Sequence, residues 1–290
     1  MDLNLARLQL PLSASTALAL QQLLQGSCSS FEAALLRTSC PTSAYNCRSC
    51  HHRTDCQAYT LLARSLSPDP ELVRRYQKPA LPFVFAPSPT SEPVLRLTLA
   101  GPACDALPLF ADTLAAMTGE QVRFGLHAFD YQEQLKPLQF QADGQCDNLP
   151  LLSLAELYEQ YRSSFVGCRS VELAFQTPLR LRHNGHELQY LQPAVLIRSL
   201  LRRLSSLAAY YGAAGDSDQI SILAGRADAV QLQRKTDHGE MKSNRRGICG
   251  RYQLNGPFEE FGPYLALGSL VHLGKGAAYG QGIFTVARLD

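Results

Sequence analysis

The chain has 290 residues, 46% of them hydrophobic and 18% charged, with a formal charge of +2, which is enough for one large or two ordinary domains with real cores. It holds no apolar run long enough to span a bilayer. Its nine cysteines, an odd number clustered in one place, argue against a secreted disulfide framework and for a reducing, cytoplasmic compartment. The small net charge hides an asymmetry: residues 1–150 carry 11 basic and 13 acidic side chains, and residues 151–290 carry 16 and 12. Within the second half, residues 196–251 hold ten basic residues against five acids, a local excess suited either to a polyanion or to a solvated helical face.

In chain order, Leu3, Leu5, Leu8 and Leu10 alternate with polar residues and predict a first strand over residues 3–10, not a signal peptide. Helices are expected over Ser13–Gln25 and Phe31–Arg37, then a cysteine-rich loop, then an apolar helix around Tyr59–Leu66. Five prolines between residues 79 and 93 prevent regular helix there. Strands at Val94–Leu99 and Val122–Phe129 enclose a helix near Leu107–Met117. Strands follow at Cys168–Phe175 and Leu179–Arg182, with hairpin-turn chemistry at His183-Asn184-Gly185-His186 and a return over Glu187–Tyr190. The clearest helix is 193–211, whose apolar positions Val195, Leu196, Leu200, Leu204 and Leu207 place Arg198, Arg202 and Arg203 on or beside the opposite face. Strands near 227–234 and 247–254, a short helix at Phe258–Leu265, a strand at 268–273 and a last strand at 283–289 complete the pattern. The second half thus reads β, α, β-β, α, β, an order that suits an α+β ferredoxin-like sandwich.

Leu270 to Phe284 carries glycines, alanines and Lys275 between two apolar segments. Such a loop suits a phosphate backbone, because glycine lets successive amides approach anionic oxygens and the lysine adds a mobile charge. Neither the Walker spacing nor a dinucleotide-binding βαβ unit is present. Cys40, Cys47, Cys50 and Cys56 give C-x6-C-x2-C-x5-C, four soft ligands within 17 residues. That spacing predicts a tetrahedral structural zinc, with an iron-sulfur cluster as the alternative for the same ligands. Cys28, Cys104, Cys146, Cys168 and Cys249 are scattered and read as core positions.

Three segments together resemble the CRISPR-associated endoribonucleases that cut repeat RNA, members of the RAMP superfamily: Phe175-Gln176-Thr177-Pro178-Leu179-Arg180-Leu181, the helical Leu201-Arg202-Arg203-Leu204-Ser205-Ser206-Leu207, and the block from Lys242 through Gly256-Pro257-Phe258 into Leu270–Gly282. The motifs cover about residues 170–290; the cysteines after Phe31–Arg37 and Pro82-Phe83-Val84 resemble a cysteine-bearing branch more loosely. The resemblance implies two tandem ferredoxin-like domains, 1–168 and 169–290, with the Gly-rich loop in the second, and CRISPR repeat RNA as the partner. It also implies cleavage beside a repeat hairpin.

Such cleavage uses the RNA's own 2′-OH and needs a base, an acid and cations rather than a metal. The early helix Phe31–Arg37, where related enzymes often carry a catalytic histidine, has none. The proton-transfer candidates are therefore His272, beside the loop, and His51 and His52, in the cysteine loop. His127, His183 and His186 read as surface or structural residues, and His238 as an RNA contact. The expected phosphate contacts are Arg202, Arg203, Lys242, Arg245, Arg246, Gly274, Lys275, Gly276, Gly280 and Gly282, with one of Arg202 and Arg203 pairing inside the domain. Tyr252 or Tyr279 would stack on bases. The alternatives are a noncatalytic RNA-binding subunit of a CRISPR effector complex and an iron-sulfur redox protein.

Overall fold

The computed structural model describes residues 2–26, 28–42, 47, 49–88, 92–212, 217–236 and 247–290, with backbone alone for residues 25, 28, 29, 217 and 218. Two compact units emerge, Asn4–Leu152 and Ser153–Asp290, the latter also including residues 1–3. Among the described residues no helix is long and apolar enough to cross a membrane.

The first unit runs β1 (Asn4–Pro11), α1 (Ala14–Gly26), α2 (Cys28–Ser39), α3 (Gln57–Leu62), α4 (Pro70–Arg75), β2 (Phe83–Ser88), β3 (Val94–Ala100), α5 (Leu107–Thr118), α6 (Val122–Gly125), β4 (His127–Phe129) and β5 (Leu135–Pro137). Its sheet order is β2-β3-β1-β4-β5, with β6 (Leu152–Ser153) pairing β1 off that path. The alternation expected in β1 is real: Leu5, Leu8 and Leu10 are buried, and Leu8 faces Leu97 of β3. Phe31 anchors helix α2 against β2 and α5. Its ring lies 5.5 Å from Phe83, 4.7 Å from Phe85 and 5.7 Å from Phe110, a fully buried aromatic cluster.

The second unit runs α7 (Leu154–Ser164), β7 (Ser170–Leu179), β8 (Arg182–His183), β9 (His186–Glu187), α8 (Pro193–Tyr211), α9 (Ser217–Gly225), β10 (Gln231–Thr236), β11 (Ile248–Asn255), α10 (Phe258–Val271) and β12 (Phe284–Arg288). Its sheet is β10-β11-β7-β12, all antiparallel. In each unit the four main strands, taken in chain order, lie second-third-first-fourth, the arrangement of a ferredoxin-like split βαβ sandwich. The α+β, tandem ferredoxin-like architecture expected from the sequence is the observed one.

Local departures have physical causes. The second unit starts at Ser153, ahead of the expected 168/169 boundary, because α7 packs on α10, with the rings of Tyr158 and Tyr264 5.0 Å apart. The strand expected over 268–273 is instead the end of α10. Phe258, Phe261, Leu265, Leu267 and Val271 are all buried in that helix, so no polar face remains to reveal its period. The strand expected at Val122–Phe129 divides into α6 and β4. Conversely, the strand expected over Cys168–Phe175 runs through Pro178 to Leu179 as β7, and the one expected over Leu179–Arg182 is divided between the end of β7 and the start of β8.

Candidate nucleic-acid interface

The Gly-rich segment after α10 is a closed loop. The amide of Leu273 donates to Gly282 O (3.3 Å), that of Lys275 to Arg180 O (2.9 Å), that of Tyr279 to Gly276 O (2.9 Å), that of Gln281 to Gly276 O (3.2 Å) and that of Gly282 to Pro178 O (3.1 Å). A β-carbon on Gly282, where φ is +62°, would stand 1.9 Å from Leu273 O; the glycine is there for close approach. Leu273, Ala277, Ala278, Tyr279 and Gln281 are buried, and Lys275 is the exposed residue of the turn. Several amides that the sequence reading aimed at phosphate thus hold the loop together, and Lys275 is what it presents. Tyr279 is 3% and Tyr252 5% exposed; both are core residues, not stacking platforms.

His272 caps α10 with φ +54° and is only 4% exposed. Its Nδ1 lies 3.4 Å from Ala277 O. Burial, and then the charge of Arg203, push its pKa down to about 3 against the opposing hydrogen bond to Ala277. A ring so enclosed is neutral and packed, and the geometry gives it no route to a solvent-borne 2′-OH. Arg203 donates from Nε to Val271 O (2.9 Å), holding the C-terminal carbonyls of α10. It is the arginine of the pair that serves the domain, while Arg202 is exposed.

Much of the basic excess is used internally. Arg198 pairs with Asp228, Arg226 with Glu260 at 2.6 Å and Arg251 with Glu172 at 2.7 Å, while Arg234 bonds Gln253 at 2.7 Å. Lys242, Arg245, Arg246 and His238 lie outside the described residues.

Another cluster sits beside the loop. Arg180 bonds Glu187 through Nε (2.5 Å) and Nη2 (3.2 Å). The Glu187 carboxyl is held below its ordinary range by Arg180 first, with Arg182 and Lys275 adding to it. With Arg180 matched by Glu187, Arg182 and Lys275 bring the excess positive charge to this place, where the sequence points to Lys275 alone. The signal was the hairpin turn, whose charged flanks were read as surface.

His51 and His52 are exposed. His127 Nδ1 lies 2.9 Å from Gly125 O, a structural role. Cys40, Cys47, Cys50 and Cys56 line one pocket with Leu36, Pro41, Thr42, Arg53 and Tyr59, and burial together with the charges of Cys56, Cys40 and Cys50 pushes the Cys47 thiol up. The donor set therefore fits a soft metal, although no group of three or more ligand side chains already stands at ion-holding spacing among the described residues.

Comparison with known proteins locates this architecture. Residues 173–284 match the family model of the CRISPR-associated endoribonuclease Cas6, and residues 3–142 match a model described as an N-terminal domain. No curated protein sequence matches the chain. Among solved structures it is similar to a partial Cas6-RT-Cas1–Cas2 complex (TM-score 0.56, 12% identity, covering 99% of this chain and 46% of that one). It is also similar to a Cas6 mutant (TM-score 0.50, 15% identity, 99% and 100% covered) and to Thermus thermophilus Cas6 (TM-score 0.49, 17% identity, 99% and 98% covered). At such identities the likeness is one of fold.

Proposed function

We propose that the chain, whose residues 173–284 match the family model of the CRISPR-associated endoribonuclease Cas6, is an endoribonuclease of that family, which binds the repeat of precursor CRISPR RNA and cuts it by metal-independent transesterification. The 2′-oxygen attacks the adjacent phosphorus and the bond to the 5′-oxygen breaks. The products are a 2′,3′-cyclic phosphate and a 5′-OH. The carrying observation is the internally bonded Gly-rich loop, which presents Lys275 beside Arg180 and Arg182. Arg182 and Lys275, two cations beside one rigid turn, suit a phosphate backbone and the charge that grows on the phosphorane. Arg202, Lys242, Arg245 and Arg246 extend the phosphate contacts in this reading.

Proton transfer needs imidazoles with access to RNA. Of the histidines singled out in the sequence, His51 and His52 are exposed and His272 is enclosed. The four cysteines would hold a structural zinc, or an iron-sulfur cluster with the same thiolates, and the group would tie down a loop poor in regular structure. The site of action is cytoplasmic, with the cut RNA handed on within a CRISPR effector assembly.

The test is incubation of the purified chain with end-labelled repeat RNA and an unrelated hairpin, in EDTA, with product ends mapped. Repeat-specific cutting to a cyclic phosphate supports the proposal. Tight binding without cutting moves the chain to a noncatalytic crRNA-binding role.

A further inference from the structure

His183 and His186 stand opposite one another as Cα partners across the β8–β9 hairpin, and both are exposed. The residues between them, Asn184 and Gly185, have φ of 50° and 81°, the paired positive values of the hairpin turn that matches strand twist. Directly opposed residues of antiparallel strands carry their β-carbons about 5 Å apart, so two imidazoles can engage neighbouring oxygens of one ligand without backbone movement.

The hairpin is well anchored. The amide of Leu188 donates to Leu181 O (2.9 Å), and Leu181 and Leu188 are 5% and 9% exposed, which fixes its base in the apolar interior. Arg180, one residue further in on the first strand, reaches Glu187 on the second and clamps the two. The amide of Lys275 donates to Arg180 O, so the Gly-rich loop is tied to the hairpin stem. The loop that carries Lys275 and the hairpin that carries the two facing imidazoles therefore belong to one unit and are joined at the hairpin stem.

We propose that His183 and His186 are the base and acid of the cleavage reaction, an inference that rests on the endoribonuclease reading above. One neutral imidazole takes the proton of the 2′-OH as the 2′-oxygen forms its bond to phosphorus. The other, as imidazolium, gives its proton to the 5′-oxygen as the phosphorus–oxygen bond breaks. The pair finishes with its protonation exchanged and resets through solvent; no redox partner or metal enters the balance. Arg182 and Lys275 stand by Glu187, one residue along the hairpin from His186, where they can hold the phosphates that flank the reacting one.

The test uses the full-length protein at saturating concentration over end-labelled repeat RNA, with His183→Ala, His183→Gln, His186→Ala, His186→Gln, His51→Ala and His52→Ala measured for single-turnover cutting and, by anisotropy, for binding. Each hairpin substitution is expected to slow cutting by about 10²–10³-fold with the dissociation constant within about threefold of the parent. A substrate carrying sulfur in place of the scissile 5′-oxygen, whose leaving group needs no proton, should restore cutting in the variant that lost the acid and not in the one that lost the base. Parental rates in both hairpin variants overturn the inference, as does loss of cutting confined to His51→Ala or His52→Ala. So does a defect that saturating protein repairs, which marks mere binding. A parent that binds repeat RNA but never cuts it refutes the endoribonuclease reading itself and is recognised before any variant is compared.

Discussion

His272 is held in a backbone conformation that a residue with a β-carbon seldom adopts, at a cost on the order of 1–3 kcal/mol. Three contacts keep it there: the hydrogen bond of Leu273 to Gly282, the approach of its ring to Ala277 O and the grip of Arg203 on Val271 O. Because its folded pKa lies near 3, below the ordinary histidine value, the folded state binds fewer protons than the unfolded chain as pH falls. The stability of the neutral form is complete above about pH 6.5 and is lost progressively toward pH 3. Urea unfolding at pH 7.5 and at pH 5 should show His272 removing about 2 kcal/mol across that interval. In His272→Gln the difference between the two pH values should shrink by that amount; an unchanged difference would place a charged or solvent-open ring at this position. Gly282 is the complementary case. Gly282→Ala, with Leu273 O only 1.9 Å from the new carbon, should cost at least about 2 kcal/mol in the same experiment.

The helices of the second unit are set by two glycines. A β-carbon on Gly268 of α10 would lie 2.1 Å from Leu200 Cδ1 of α8, and one on Gly262 would lie 2.2 Å from Phe165 Cδ1. Gly268→Ala is expected to cost about 1–3 kcal/mol by overpacking, and Leu200→Ala about 2–5 kcal/mol by leaving a cavity. The double variant should lose less than the sum, because each change makes room for the other; strict additivity in a double-mutant cycle would contradict the contact. The amphipathic α8 was legible in sequence because its polar face survives, whereas α10 was read as helix then strand because it is apolar all round. The expected strand ends at Phe175, ahead of Pro178, which has no amide to donate, whereas β7 reaches Leu179. It runs on because β11 shifts register between Ile248 and Gly250 opposite that residue, a bulge that no local pattern announces. The gathering of Cys40, Cys47, Cys50 and Cys56 around one pocket is likewise local, and the metal proposed for it is open to a direct test. Cys47→Ser is expected to abolish bound metal and lower the melting temperature by several degrees. Elemental analysis and a thermal scan together decide it, and full metal content with unchanged melting would remove the assignment.

Charge is where sequence and structure diverge most across the whole chain. Counting placed the nucleic-acid surface among residues 196–251, but Arg198, Arg226 and Arg251 pair with acids of their own unit, and Arg203 serves a helix end. Counting cannot see pairing, since Asp228, Glu260 and Glu172 are either unremarkable in sequence or far from their partners. What survives beside the Gly-rich loop, among the described residues, depends on long-range closure: Arg182 on the hairpin and Lys275 on a loop ninety-odd residues later, tied to the hairpin stem by one backbone hydrogen bond to Arg180. If repeat RNA is gripped there, its affinity must fall with salt in proportion to the phosphates neutralised, by about 0.7–0.9 in log–log slope per contact. Lys275→Ala and Arg182→Ala should each weaken binding about tenfold at 150 mM salt and lower the slope by about that amount, whereas Arg226→Ala, whose charge is already matched by Glu260, should leave the slope where it was. Titration by anisotropy between about 50 and 300 mM salt reads all three. Equal slopes for the parent and Lys275→Ala would mean that the phosphate track runs elsewhere on the second unit, through Arg202 and the segment bearing Lys242, Arg245 and Arg246.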